Sequence, residues 1–262
     1  MSMPGSCSTS VPEPAGAVNR WPNGAAPEPL HWLAPAQALD GTQETEWLEQ
    51  ALNGQATAAL WSGITGLVAP LSYRQHAGLD GACAAASARG WPVRLRRSGG
   101  GVVPQGPGIL NLSLAYPCSG APGSQSEPVY AHLCALLADA LADLGIASHC
   151  QAVTGSFCDG RFNLAVTLAG RACKIAGTAQ YWRRAKGRQA VLAHALLLVD
   201  ADPELLCAEA NRFEHELGST RRYQETALAN VAQAWQAAHP GAALPADFSG
   251  TVRRSIAASL RS

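Results

Sequence analysis

From Ile109 to Leu114 the chain alternates, with Leu110, Leu112 and Leu114 on one face and Ile109, Asn111 and Ser113 on the other. A period of two predicts a strand that packs its leucines on a core and turns its polar face toward a cleft or solvent. Residues 128–144 follow the helical period instead: Val129, Leu133, Leu137, Leu141 and their neighbours form a wide stripe that Gly145 stops. Further helices are expected over 44–53, 75–89, 200–216, 220–238 and 249–260. Strands are expected near 58–61, 66–68, 93–97, 148–153, 161–168, 171–182 and 189–199. Turns near 168–172 and 184–188 make hairpins and demand antiparallel neighbours. Strands and helices mix without strict alternation. The predicted class is therefore α+β, a largely antiparallel mixed sheet with packed helices, and not a Rossmann fold.

Composition adds boundaries. Residues 1–28, rich in Pro, Gly, Ala and Ser, read as a disordered tail, 29–200 as the main domain, and 201–262 as a helical extension packed on it. A hydrophobic fraction of 47% in 262 residues supports a sizeable core, and a net charge of zero gives no general pull toward nucleic acid or membrane. The longest apolar run, 190–199, is interrupted by His194 and too short to span a bilayer. The N-terminus has neither a basic nor an apolar signal region. Eight cysteines without a CxxC pair argue against structural zinc and for free thiols in a reducing cytoplasm.

Cys158 lies in the turn-rich segment 154–160, just before an apolar run, and Lys174 is a lone lysine inside the next strand. A nucleophile and a cation near two adjacent strands suit acyl transfer, because the thiolate is the reactive form of cysteine. Taken alone, a loop cysteine is more often inert than catalytic, and a strand lysine usually faces water. Ser98-Gly99-Gly100-Gly101, after Arg96-Arg97, lets backbone N–H groups approach a ligand, although a plain turn reads the same way. His149 and His194 are candidate bases, and Ser98 and Ser156 candidate nucleophiles without an elbow motif around them.

Together these pieces resemble the lipoate–protein ligase, octanoyltransferase and biotin–protein ligase superfamily. The stretch from Arg96 to Val103 looks like its acyl-pocket loop, 108–114 like the following strand, and Lys174-Ile175-Ala176-Gly177-Thr178-Ala179-Gln180 like its lysine signature. The resemblance covers about residues 30–235 and implies a class II aminoacyl-tRNA synthetase-like catalytic core. It implies substrate binding by Arg96, Arg97, Ser98, Gly99, Gly100, Gly101, Asn111, Asn163, Gly177, Thr178 and Gln180, and no bound metal. The segment Cys158–Leu164 is similar to that of octanoyltransferases acting on the glycine-cleavage H protein, with Phe162 in place of a tyrosine and Asn163 of an aspartate. In that branch Cys158 would hold the acyl group as a thioester, and Lys174 would activate the thiol and stabilise the oxyanion. Expected partners are lipoyl-domain proteins and the glycine-cleavage H protein or an acyl-carrier protein. Transfer would need no cofactor. The alternatives are an ATP-dependent lipoate–protein ligase using ATP and Mg, and a non-catalytic carrier-binding homologue. The large accessory domain of two-domain ligases is expected to be missing, because the residues after Asp200 read as helices. Arg221-Arg222 would meet an acidic lipoyl domain or simply be solvated.

Overall fold

The alternating segment 109–114 lies in a nine-residue strand of the computed structural model, which describes Pro27 and residues 30–261. The tail expected over 1–28 falls outside the described residues apart from Pro27. The elements run β1 (Leu30–Leu33), α1 (Gln43–Leu52), β2 (Ala56–Trp61), β3 (Gly66–Pro70), α2 (Leu79–Ala88), β4 (Val93–Arg96), β5 (Val103–Gln105), β6 (Ile109–Pro117), α3 (Pro122–Ala142), β7 (His149–Cys150), β8 (Leu164–Leu168), β9 (Arg171–Ala185), β10 (Arg188–Leu198), α4 (Pro203–Glu216), α5 (Val231–Ala238) and α6 (Phe248–Ser259).

Seven strands form one sheet in the order β1-β2-β6-β10-β9-β8-β7, and β4-β3-β5 form a second. The large sheet is antiparallel except for β1 on β2, and in the small one β3 runs parallel to β4 and antiparallel to β5. Both predicted hairpins are present. Ala169-Gly170 and Lys186-Gly187 join their strands with φ of 48° and 74°, then 50° and 74°. Positive φ at both central residues matches the twist of the strands they connect.

Alternation sorts the layers. Leu110, Leu112, Leu114 and Tyr116 of β6, with Val191, Ala193, Ala195 and Leu197 of β10, pack against α3, α5 and α6. On the opposite face Leu196, Leu198 and Ile109 pack with the small sheet, α2 and α4, while Leu192 packs with α1. That second face carries the site.

Several boundaries differ from expectation. The α3 helix starts at Pro122 and carries Pro128 within it; a proline read as a helix start is here inside one. The strand expected over 148–153 shrinks to β7, and 161–163 belong to a loop rather than to β8. The helix expected over 220–238 forms only from Val231, where Asn230 and Gln233 make a capping box. Residues before it are held elsewhere: the Tyr223 N–H donates to the Asn211 side chain and the Gln224 N–H to the Gly155 carbonyl. The polar face of β6 is closed off: Asn111 and Ser113 are fully buried and paired with neighbouring side chains.

Candidate active site

A cavity of about 900 Å³ opens between the second face of the large sheet and the small sheet, within the range of small-molecule sites. Leu192, Leu196, Leu198 and Gly177 line it from the sheet, with Leu95, Val103 and Phe162 from other elements. Of the residues singled out in the sequence, Arg96, Arg97, Ser98, Gly99, Gly100, Cys158, Asn163, Lys174, Gly177, Thr178 and Gln180 reach it. Asn111 does not: its amide pairs with that of Gln105, which does line the cavity. Gly101 lies just behind the lining and acts through its backbone.

Cys158 is half-buried and has a φ of 49°, left-handed backbone that a non-glycine residue adopts at some cost. Its carbonyl is tied down by three donors: the Asn163 amide at 2.9 Å, the Lys174 ammonium at 3.2 Å and the Gly160 N–H at 2.8 Å. Asn163 supplies an N–H that an aspartate would lack. The Gly101 N–H donates to the Cys158 sulfur at 3.1 Å, and Arg96 Nη2 stands 3.8 Å away. The same guanidinium donates to the Val68, Gly99 and Gly101 carbonyls at 2.6, 2.8 and 2.8 Å. Arg96 therefore both shapes the glycine loop and places its guanidinium beside the sulfur.

Lys174 reaches the loop because β9 is irregular. Opposite Leu164 and Ala165 of β8 it presents Ala176 and Lys174, so Ile175 is an extra residue; such bulges re-aim side chains. The Lys174 ammonium donates to the carbonyls of Phe157 and Cys158, and no contact to the sulfur itself is seen. The residue is 5% exposed, and burial pulls its pKa down to about 8, against the opposite pull of Cys158 and Asp159. Gly177 makes room for it, since a Cβ there would lie 3.0 Å from Nζ. Thr178 donates to the Phe162 carbonyl and Gln180 to that of Ser126, so both brace the loop and the start of α3.

Two clusters escaped sequence reasoning. Behind the glycine loop, the Tyr73 and Tyr223 hydroxyls both donate to Glu214 Oε1, at 2.5 and 2.9 Å, and Glu214 is fully buried. Burial and the adjacent carboxylate push both phenols well up, so they remain donors. The Tyr223 ring lies 4.9 Å from that of Phe157, and its hydroxyl occupies the space a Gly101 Cβ would need. Along the cavity, His194 Nδ1 is 2.7 Å from Glu44, to which the Ser113 hydroxyl also donates, and Trp61 donates to Ser113 at 3.0 Å. Burial raises the Glu44 pKa, but His194, Ser113 and the Arg94 charge outweigh it and hold it below the ordinary value. His194 is thus committed to Glu44, while His149 is on the surface with Gln151. No short motif marks either cluster, because Glu44 and His194 are 150 residues apart.

Gly100 has φ of 105°, and a Cβ on it would lie 2.5 Å from the Cys158 sulfur. Gly100→Ala is expected to displace the thiol and lower any thiol-dependent turnover about 100-fold, with about 1–2 kcal/mol of destabilisation. A Cβ at Gly99 meets open space, so Gly99→Ala should shift the melting temperature far less. Thermal melts of the two variants beside their rates check both halves.

A more open concavity of about 880 Å³ lies between α1 and the β9–β10 hairpin, lined by Leu52, Pro117 and Arg188; it shares no lining residue with the cavity above.

Residues 48–233 match the family of the lipoyl protein ligase A/B catalytic domain. An uncharacterized protein of Cupriavidus necator is 48% identical over 225 residues, 81% of this chain and 89% of that one. An octanoyl-GcvH:protein N-octanoyltransferase of Kyrpidia tusciae is 42% identical over 130 residues, 47% of this chain and 43% of that protein. Among solved structures, a lipoate-protein ligase A bound with ATP superposes with a TM-score of 0.59 at 17% identity, covering 88% of this chain and 86% of the other. At that identity the likeness is one of fold.

Proposed function

Because the chain belongs to the lipoyl protein ligase A/B catalytic-domain family, we propose that it is a cysteine acyltransferase that moves octanoyl or lipoyl groups onto a lysine of lipoyl-domain proteins. The observation that carries this reading is the Cys158 sulfur, set on strained backbone at the cavity and faced by the Gly101 N–H and Arg96. A thiol incidental to the chemistry would need none of these. The partial match to an octanoyl-GcvH transferase supports the same branch and a glycine-cleavage H protein as donor; an acyl-carrier protein is the alternative donor.

In this mechanism the Cys158 sulfur attacks the donor's acyl carbonyl. A C–S bond forms, the bond to the donor heteroatom breaks, and that heteroatom leaves with the thiol proton. The acceptor lysine amine then attacks the thioester, forms the amide and returns a proton to sulfur. Arg96 and the Gly101 N–H stabilise the thiolate as attacker and leaving group. Lys174 holds the loop carbonyls and places a cation beside the reacting carbonyl. The acyl chain lies along Leu192, Leu196 and Leu198.

Intact mass after mixing the protein with an octanoylated carrier and no ATP tests the reading. An octanoyl adduct that hydroxylamine removes is expected. No adduct with any carrier, together with lipoyl-domain modification that requires ATP, Mg and free lipoate, would instead identify an ATP-dependent ligase.

A further inference from the structure

The sulfurs of Cys134, on α3, and Cys150, on β7, lie 3.1 Å apart. That is closer than two thiols sit by packing alone and about 1 Å longer than a disulfide. Cys134 is buried and Cys150 is exposed. Each also touches the loop that carries the nucleophile. The Cys134 thiol donates to the Phe162 carbonyl at 3.6 Å, and the Cys150 thiol faces the Arg161 carbonyl at 3.5 Å as well as the Cys134 sulfur. One turn before Cys134, the Tyr130 ring stacks on Phe162 at 4.7 Å.

We infer that Cys134 and Cys150 form a reversible disulfide and that closing it slackens the Cys158 loop. The accessible thiol reacts first. With a hydroperoxide, the O–O bond breaks, an S–O bond forms on Cys150, and the thiol proton leaves with the alcohol or water released. The Cys134 sulfur then attacks the sulfenic sulfur; an S–S bond forms, the S–O bond breaks, and hydroxide takes the Cys134 proton as water. Two electrons pass from the thiols to the peroxide. A small-molecule disulfide gives the same product by exchange. Burial, reinforced by the Cys150 contact, pushes the Cys134 thiol well up, so it is not the thiol that reacts first; its sulfur resolves because it already lies against that of Cys150. The disulfide removes both S–H donors from the loop carbonyls and draws α3 toward β7. Phe162 keeps the Thr178 hydroxyl, so the loop is loosened and not released.

Bond formation does not depend on the proposed function; only its effect on transfer does. The full chain is treated with stoichiometric hydrogen peroxide, and Cys158→Ala in parallel so that oxidation of that thiol cannot contribute. Both are expected to lose about two mass units, with the Cys134 and Cys150 peptides joined, and dithiothreitol should restore them. Cys150→Ser, which keeps a donor for Arg161, should form no such bond. Hydrogen exchange over 157–163 should rise on oxidation, and octanoyl transfer should slow roughly tenfold more in the parent than in Cys150→Ser treated alongside it, where oxidation of Cys158 is the shared background. Absence of the bond, or Cys150 joined to another cysteine, overturns the pair. A bond that leaves loop exchange unchanged overturns its coupling to the site. If the protein transfers no acyl group, mass and exchange still decide the inference.

Discussion

Cys158→Ala is expected to form no octanoyl adduct and to lose transfer by about 10⁴-fold or more, the scale of removing a covalent nucleophile. The fold should survive. Alanine keeps the Cβ, so the left-handed backbone at this position is no more strained than before, and the tethers from Asn163, Lys174 and Gly160 all act on the carbonyl rather than the side chain. What disappears is the acceptor of the Gly101 N–H and the atom Arg96 faces. A melting temperature within a few degrees of the parent, with no adduct and no transfer, makes the loss chemical. A Cys158→Ala protein that still modifies a lipoyl domain at the parent rate would remove the thioester from the mechanism, whatever the fold.

The chemistry of this site was more legible than its wiring. Cys158 and Lys174 stand out because a thiol in a turn and a cation in an apolar strand are local anomalies. The glycine run from Gly99 to Gly101 is visible for the same reason. What each does was not visible. Lys174 is expected to lower the thiol pKa and stabilise the oxyanion; the bulge at Ile175 places its hydrogen bonds on the carbonyls of Phe157 and Cys158. The contacts to sulfur come from Arg96 and the Gly101 backbone. A bulge depends on how two strands register, which alternation in one strand cannot reveal. Asn111 shows a related limit. It lies on the polar face of β6, as the alternation predicts, but Gln105 of β5 covers it from another sheet. Tyr223 is hidden further still, because it reaches Glu214 of α4 from a segment that reads as helix and folds as a strap across α4.

Lys174→Met separates stability from activity. A lysine pulled from 10.5 to about 8 by burial places roughly 3 kcal/mol of unfavourable desolvation in the folded state at neutral pH, at about 1.4 kcal/mol per tenfold change in proton affinity. Methionine removes that cost but leaves the Phe157 carbonyl without its donor, a loss of about 1–3 kcal/mol. The two nearly cancel, so the melting temperature should change little. Transfer should fall about 100- to 1,000-fold, the usual loss when a charge aimed at a reacting carbonyl is removed. The pH dependence follows with a definite sign. Below about 8 Lys174 is charged in both folded and unfolded chains and adds no slope. Between about 8 and 10.5 the unfolded chain holds the proton and the folded one does not, so stability from this residue rises with pH. Activity that depends on the ammonium runs the other way and falls as pH passes about 8. Urea unfolding and rate measured over the same pH range should therefore diverge in the parent, and the Lys174→Met protein should lose the stability rise. If its stability climbs as steeply as the parent's, another group titrates there, and Lys174 does not carry its charge into the folded site.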